Sequence, residues 1–124
     1  LEEFIEVKKK NYNLYRYLFN DIQGVKILEF NDKVRSNYWF YSLVLEDNKL
    51  DRDEIIKKLT KDKIQTRPIW GLINEQKPYK DAECYKIEKA NYYHDKIINI
   101  PCSTNLKEEE VVITVNKIKD NLGL

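Results

Sequence analysis

The chain has 124 residues, and its 22 Lys plus Arg nearly balance its 21 Asp plus Glu, for a formal net charge of +1. This length suits one domain with a modest core, and the near-neutral charge argues against a nucleic-acid-binding protein. Apolar residues make up 42% of the chain and include nine Tyr, four Phe and two Trp, so we expect a folded protein rather than a disordered one.

Neither a membrane span nor a secretory leader is visible in the sequence. The apolar runs are only a few residues long, and the first ten residues lack the basic start and apolar core of a signal peptide. We therefore expect no membrane association and a cytoplasmic protein. Cys84, Cys102 and His94 are too few for a common zinc site, so we expect no bound metal, ordinary thiols rather than a disulfide, and no chemistry at the histidine.

The first predicted helix covers residues 1–22, because large apolar residues recur there at helical spacing without a Gly or Pro. Leu1 offers no capping side chain, so we expect the natural helix to begin upstream of it. Gly24 is the predicted stop of this helix.

Two strands are predicted next. A short one runs from Val25 through Ile27 to Phe30, and a polar turn at 31–36 follows it. The second strand, at 37–46, carries apolar side chains on both of its faces. It is therefore predicted to lie in the centre of a sheet that is covered on both sides.

Asp51 or Asp53 is predicted to cap a helix that runs to about residue 62. The strand expected at 64–70 contains Pro68, which has no N–H to donate, so it must end there or lie at the edge of the sheet. An irregular loop at 71–80 comes after it.

A helix is expected from Asp81 to about Ala90, then a strand at 97–100 closed by Pro101, and a last helix at 107–122. This order of elements predicts a single domain at 1–124 of the α+β class. Its small, mostly antiparallel sheet would be packed with helices on one side.

Three parts of the sequence, taken in order, resemble one known family. The first is Ser36-Asn37-Tyr38-Trp39-Phe40-Tyr41, and the second is the helix opening Arg52-Asp53-Glu54 with the segment Ile64-Gln65-Thr66-Arg67-Pro68-Ile69-Trp70 that follows it. The third is Gln76-Lys77-Pro78-Tyr79, followed by the Ile100-Pro101-Cys102 turn and the acidic helix start Glu108-Glu109-Glu110. Nearly the whole chain is similar to the C-terminal small domain of the DegT/DnrJ/EryC1/StrS aminotransferases, which are fold-type I transferases dependent on pyridoxal phosphate. The Trp70 and Gln76–Tyr79 pattern looks most like members that serve nonulosonic acid and related amino-sugar pathways.

The resemblance implies an enzyme that transfers an amino group from glutamate to a nucleotide-linked keto-sugar, in the synthesis of precursors for surface polysaccharides and glycans. Pyridoxal phosphate and the lysine that forms its Schiff base would belong to a large domain that is absent from this chain. We therefore expect no catalytic or cofactor-binding residue here, and an inactive fragment. The whole enzyme would be a homodimer.

The small domain of this family would form one wall of the active site. Arg67 is the first candidate, because a guanidinium at a strand end can bind a carboxylate or phosphate, although a surface ion pair is the alternative. Trp70 and Tyr79 are candidates for stacking on a sugar or uracil ring, with core packing as the alternative. Two asparagines are further candidates for substrate binding. Asn74 stands at a loop position where many members of the family have a histidine, and Asn37 lies at the entry of the second predicted strand.

Three neighbouring features have simpler interpretations. Turn capping is the alternative for Asn37, and for Trp39 we favour a position in the core. The acidic residues Glu108 to Glu110 are explained by the helix dipole. Lys107 replaces the capping Ser or Thr that is usual in the family at this point.

Without the resemblance, the chain would be a stand-alone α+β module that binds a ligand or protein through residues 70–79. A stand-alone enzyme is disfavoured, because no nucleophile, base and orienting group come together in one motif. A domain cut from a larger protein should expose a sizeable apolar patch on its first helix and on the open side of its sheet. A self-contained module should not.

Overall fold

The computed structural model describes residues 1–123. In chain order its elements are α1 (Glu2–Phe19), β1 (Val25–Ile27), β2 (Tyr41–Leu45), α2 (Arg52–Lys61), β3 (Arg67–Pro68), α3 (Glu88–Lys96), β4 (Ile97–Ile100) and α4 (Glu108–Leu122). Within residues 1–123 no helix is both long enough and apolar enough to cross a membrane.

The four strands form one antiparallel sheet in the order β1-β2-β4-β3. The central pair is β2 with β4, in a register that places Tyr41 opposite Ile100 and Leu43 opposite Ile98. The edge strand β3 pairs only with β4, with Arg67 opposite Asn99. The predicted α+β class and the edge position of the Pro68 strand are both confirmed.

Side-chain alternation along the central strands builds the core. Leu43, Leu45, Ile98 and Ile100 are fully buried against α1, α2 and α4 on one face of the sheet. On the opposite face the paired residues Val44 and Ile97 are also buried, and α3 lies near β2 there. The central, doubly covered strand expected from the sequence is therefore confirmed.

The starts of α2 and α4 are stabilised by carboxylates. Asp51 caps α2 as predicted, because its Oδ1 accepts a hydrogen bond of 2.8 Å from the N–H of Glu54. At α4 the Glu110 carboxylate accepts a 2.7 Å bond from the N–H of Lys107. A lysine ammonium cannot accept the reciprocal bond from the Glu110 N–H, so α4 has only half of a capping box.

The predicted starts of β2 and α3 were wrong, because a non-glycine residue before each element adopts a positive φ. The strand expected from residue 37 begins at Tyr41, since Tyr38 lies at φ 53° and the Ser36 and Asn37 side chains accept bonds from the N–H groups of Tyr38 and Trp39. The helix expected from Asp81 begins at Glu88, two residues after Lys86 at φ 49°. Such backbone is incompatible with continuing a strand or a helix.

Three predicted ends also differ. Helix α1 stops at Phe19, and Gly24 at φ 82° makes the turn into β1 instead of capping the helix. Strand β1 ends at Ile27, and Phe30 leaves it to pack its ring against Tyr12 and Tyr38. The strand expected at 64–70 is reduced to Arg67–Pro68.

Replacing Lys107 with Ser should complete the capping box of α4. The serine oxygen can accept a hydrogen bond from the Glu110 N–H. We therefore expect the free energy of unfolding of Lys107→Ser to be about 1 kcal/mol higher than that of Lys107→Ala. Urea denaturation followed by circular dichroism measures the difference. Equal stability of the two variants would contradict this account of the helix start.

Candidate functional site

A cleft of about 590 Å³ opens where β2 begins, β4 ends and the edge strand β3 lies alongside. Its lining includes Lys8 from α1, Trp39 before β2, Arg67 on β3, Asn99 on β4 and Cys102 after β4. The cleft is built from four separate segments of the chain. The β2–β4–β3 pairing, rather than any one sequence motif, therefore creates it.

Aromatic rings form one wall of the cleft, and we call Trp39, Phe40 and Trp70 the aromatic wall. Trp39 stacks on Phe40 with ring centroids 5.1 Å apart, and Trp70 meets both rings edge-on at 5.7 and 5.5 Å. Trp39 is 59% exposed and Trp70 is 69% exposed, so the core position expected for Trp39 is wrong. Exposed rings grouped in this way mark a binding surface.

Polar side chains form a row across three strands beside this wall. Ser42 lies opposite Asn99, and Asn99 lies opposite Arg67, so the three share one face of the sheet. This is the face turned away from α1, α2 and α4, because the neighbouring Ile98 and Ile100 point into the core. The Ser42 hydroxyl donates to Asn99 Oδ1 at 2.9 Å.

Lys8 connects the segments that form the cleft through hydrogen bonds. Its Nζ donates to the carbonyl oxygens of Trp39 at 3.0 Å and Cys102 at 2.6 Å, and it lies 5.7 Å from the ring centre of Tyr41. The Tyr41 hydroxyl in turn donates to the Lys8 carbonyl at 2.7 Å. Burial raises the pKa of Tyr41, so this hydroxyl stays a neutral donor at ordinary pH.

The structure brings Arg67 and Trp70 into the cleft but not the other predicted site residues. Tyr79 and Asn74 belong to two short turns, Lys77–Tyr79 and Ile73–Glu75, that do not line it. Asn37 also lies outside, and its bond to the Trp39 N–H confirms the turn-capping role. Contact of any of these five residues with a ligand stays a prediction.

The two cysteines and the histidine lie apart from one another. Cys84 is exposed and free, whereas the free Cys102 is half-buried beside the cleft. His94 has its Nδ1 3.3 Å from Asp95 and its carbonyl bound by Arg52, away from the cleft. The same Arg52 holds the pKa of the Asp53 carboxyl below its usual value, through a hydrogen bond of 2.9 Å.

Lys8 and Asn99 are cleft residues that the sequence did not reveal. Asn99 carried a signal, because it is the one polar residue in the apolar run Ile97–Ile100. Lys8 carried none, since it lies in a run of three consecutive lysines that the sequence does not distinguish from one another.

Taken together, the small antiparallel sheet and the helices packed on it define an α+β domain whose cleft has a guanidinium beside exposed aromatic rings. The model of the DegT/DnrJ/EryC1/StrS aminotransferase family matches residues 1–119. The chain belongs to this family.

Known relatives agree with this membership. The chain is 28% identical over 123 residues to the dTDP-4-amino-4,6-dideoxy-D-glucose transaminase of Escherichia coli, covering 95% of this chain and 33% of the relative. It is 25% identical over 114 residues to EpsN of Bacillus subtilis (strain 168), which is classed with the pyridoxal phosphate-dependent aminotransferases, covering 89% of this chain and 29% of EpsN. The chain thus spans about a third of the length of these relatives.

The fold is shared with solved aminotransferases. Helicobacter pylori PseC, an aminotransferase involved in the biosynthesis of pseudoaminic acid, superposes with a TM-score of 0.85 over 96% of this chain and 33% of PseC. The two sequences are 18% identical, so the likeness concerns the fold alone.

The family's cofactor, pyridoxal phosphate, does not fit the residues of this cleft. A Schiff base requires a free lysine amine, and the Lys8 ammonium is bound by two main-chain carbonyls. Arg67 is the one further cationic side chain that lines the cleft within residues 1–123, and a guanidinium cannot form the Schiff base, so the cleft offers no second amine. The residues that line the cleft therefore lack the free amine by which this cofactor would be anchored.

Replacing Lys8 with Met should loosen the cleft, because two carbonyl bonds between α1, the Trp39 segment and the Cys102 segment are lost. We expect a loss of about 1–3 kcal/mol in the free energy of unfolding and a change in tryptophan fluorescence of the folded state. The exposed neighbour Lys9 supplies the control, since Lys9→Met should change neither. A Lys8→Met protein with wild-type stability and fluorescence would show that Lys8 does not hold the cleft.

Proposed function

We propose that residues 1–124 are the C-terminal small domain of a pyridoxal-phosphate-dependent sugar aminotransferase. The whole enzyme would transfer an amino group from glutamate to a nucleotide-linked keto-sugar, for the synthesis of surface polysaccharide or glycan precursors. Family membership and the E. coli relative, a transaminase named for a dTDP-linked amino sugar, support this proposal. The observation that carries it is the cleft, which places Arg67 beside the aromatic wall.

Bond making in this enzyme would lie outside the chain. Pyridoxal phosphate supplies an electron sink when bound. Because the cleft residues do not fit it, we assign the cofactor and its lysine to the remaining two thirds of the protein. The part left to this chain is to bind the substrate, orient it and exclude water.

Arg67 is the proposed anion-binding residue. Among residues 1–123 it makes no salt bridge, which disfavours the alternative of a surface ion pair. Its backbone pairs with Asn99 on the central strand β4, and this pairing places the guanidinium at the cleft. Its fork of N–H donors matches the two oxygens of a carboxylate or phosphate.

The aromatic wall is the proposed surface for the sugar or base ring. Trp70 presents most of its ring to solvent, and Trp39 and Phe40 support it from behind. Stacking a ring here removes apolar surface from water while leaving the polar edges of the ligand free for Arg67. Water would be excluded on one side of the ligand.

Exposed apolar side chains favour a domain of a larger protein over a self-contained module. On α1, Phe4 is 58% exposed and Val7 is also exposed, and the aromatic wall lies on the open side of the sheet. These are the two surfaces on which a domain cut from its partner should expose apolar area. The homodimer, the cytoplasmic location and the pathway stay predictions of the resemblance.

In the full-length enzyme, Arg67→Ala should lower kcat/KM for one anionic substrate by about 10- to 100-fold, because a charge-assisted hydrogen bond is lost. Steady-state kinetics with glutamate and the sugar nucleotide varied in turn identify which substrate the residue binds. Arg16→Ala is the matched control, since Arg16 pairs with Glu29 at 2.8 Å outside the cleft. Unchanged constants for Arg67→Ala with both substrates would remove Arg67 from the binding site.

The isolated 124-residue chain should form no saturable visible absorbance band when pyridoxal phosphate is added, whereas the full-length protein should form one. The reason is that the lysine in the cleft is already bound by carbonyls. A spectrophotometric titration makes the comparison. A saturable band from the chain alone would contradict the proposed division between binding and bond making. The absence of a band from the full-length protein would contradict the proposal that it is an enzyme dependent on pyridoxal phosphate.

A further inference from the structure

We propose that Asn99 is a second ligand-binding residue of the cleft, donating its amide N–H groups to the same oxyanion as Arg67, and that Ser42 is the positioning residue that aims this amide. The inference rests on the proposed function and adds to it. The shared ligand chemistry is an oxyanion, either the carboxylate of glutamate or the phosphate of a nucleotide.

The position of Asn99 follows from the pairing of three strands. Asn99 lies opposite Ser42 on one side and opposite Arg67 on the other, so its side chain stands between theirs on the same sheet face. Asn99 and Arg67 both line the cleft. An oxyanion held by the guanidinium therefore lies within the region that the neighbouring amide faces.

Ser42 sets the direction of the amide. Its hydroxyl donates to Asn99 Oδ1 at 2.9 Å, so the acceptor end of the amide is occupied. An asparagine then has two N–H donors left on Nδ2, and no hydrogen-bond acceptor for them occurs among residues 1–123. The end of Asn99 that remains free is a donor, which is the polarity an oxyanion requires.

The surroundings of Asn99 favour a ligand role over a purely structural one. A cross-strand Ser–Asn pair is stabilising by itself, but apolar residues fill the rest of β4, and Asn99 is half-buried there. Lys8 donates two of its three N–H groups to carbonyls, whereas Arg67 makes no salt bridge among residues 1–123, so Arg67 is the cation with its donors free and Asn99 is a neutral donor beside it. One cation with one neutral donor suits a single carboxylate or phosphate group.

Isothermal titration calorimetry on the full-length protein tests this, with L-glutamate and thymidine diphosphate as separate probes. Asn99→Ala should weaken binding of one probe by about 5- to 30-fold, as expected for one lost hydrogen bond to a charged group. Asn99→Asp keeps the shape of the side chain and should weaken binding more, because its carboxylate repels the anion and pairs with Arg67. The probe that is affected identifies the source of the oxyanion.

The role of Ser42 has its own readout. Ser42→Ala should weaken the same probe by a smaller factor, about 2- to 5-fold, because the amide remains but is free to rotate. Ser42→Thr retains the hydroxyl and should restore binding, which a loss of packing alone would not predict. The exposed Asn91 on α3 provides the matched control, since Asn91→Ala should bind both probes as the wild type does.

The outcomes separate this inference from the function on which it rests. Wild-type affinity in Asn99→Ala and Asn99→Asp, together with a loss in Arg67→Ala, overturns the role of Asn99 and leaves the proposed function standing. Absence of binding of both probes by the wild type overturns both. Equal weakening by Ser42→Ala and Ser42→Thr would remove Ser42 as the residue that aims the amide.

Discussion

The pairing of β2 with β4 is the constraint on which the rest of the molecule depends. In its register Leu43, Leu45, Ile98 and Ile100 face the helices, while Ser42 and Asn99 lie on the opposite face, where Asn99 lines the cleft. Because side chains alternate along a strand, a shift of one residue would bury the polar pair and expose the isoleucines. The hydrophobic core and the polar row are thus fixed by the same hydrogen-bonded pairing, and neither can be rearranged alone.

The sequence predicted those elements whose signals are local. The spacing of apolar residues was sufficient to predict α1, α2 and α4, and the run of isoleucines was sufficient to predict β4. Asp51 was sufficient to predict the cap of α2. Each of these signals lies within one turn or one strand. The start of β2 and of α3 depended on Tyr38 and Lys86 at positive φ, which no local rule requires of a tyrosine or lysine. The Tyr38 ring packs against Tyr12 and Phe30, which are distant in sequence.

The cleft was predictable to a smaller degree than the fold. Arg67 and Trp70 were identified because a short motif carries them, and motifs are continuous in sequence. Asn99 and Lys8 act through partners far away in the chain: Asn99 through strand register, and Lys8 through carbonyl oxygens 31 and 94 residues distant. Main-chain acceptors are common to all residues, so no sequence pattern distinguishes the two that Lys8 binds.

The two sides of the cleft are held by different means, and this bears on what the domain can do. On one side β3 is only two residues long and ends in a proline, so Arg67 rests on few hydrogen bonds to β4. On the other side Lys8 ties the Trp39 segment to the Cys102 segment through charge-assisted bonds, which are stronger than neutral ones. The aromatic wall bridges the two sides, since Trp70 follows β3 while Trp39 and Phe40 precede β2. A ligand that contacts Arg67 and stacks on Trp70 would bind to the β3 side of the cleft. Through the aromatic wall it would also contact the side that Lys8 holds. A ligand bound in this way would connect the two sides of the cleft, and this is the positioning role that we propose for the domain.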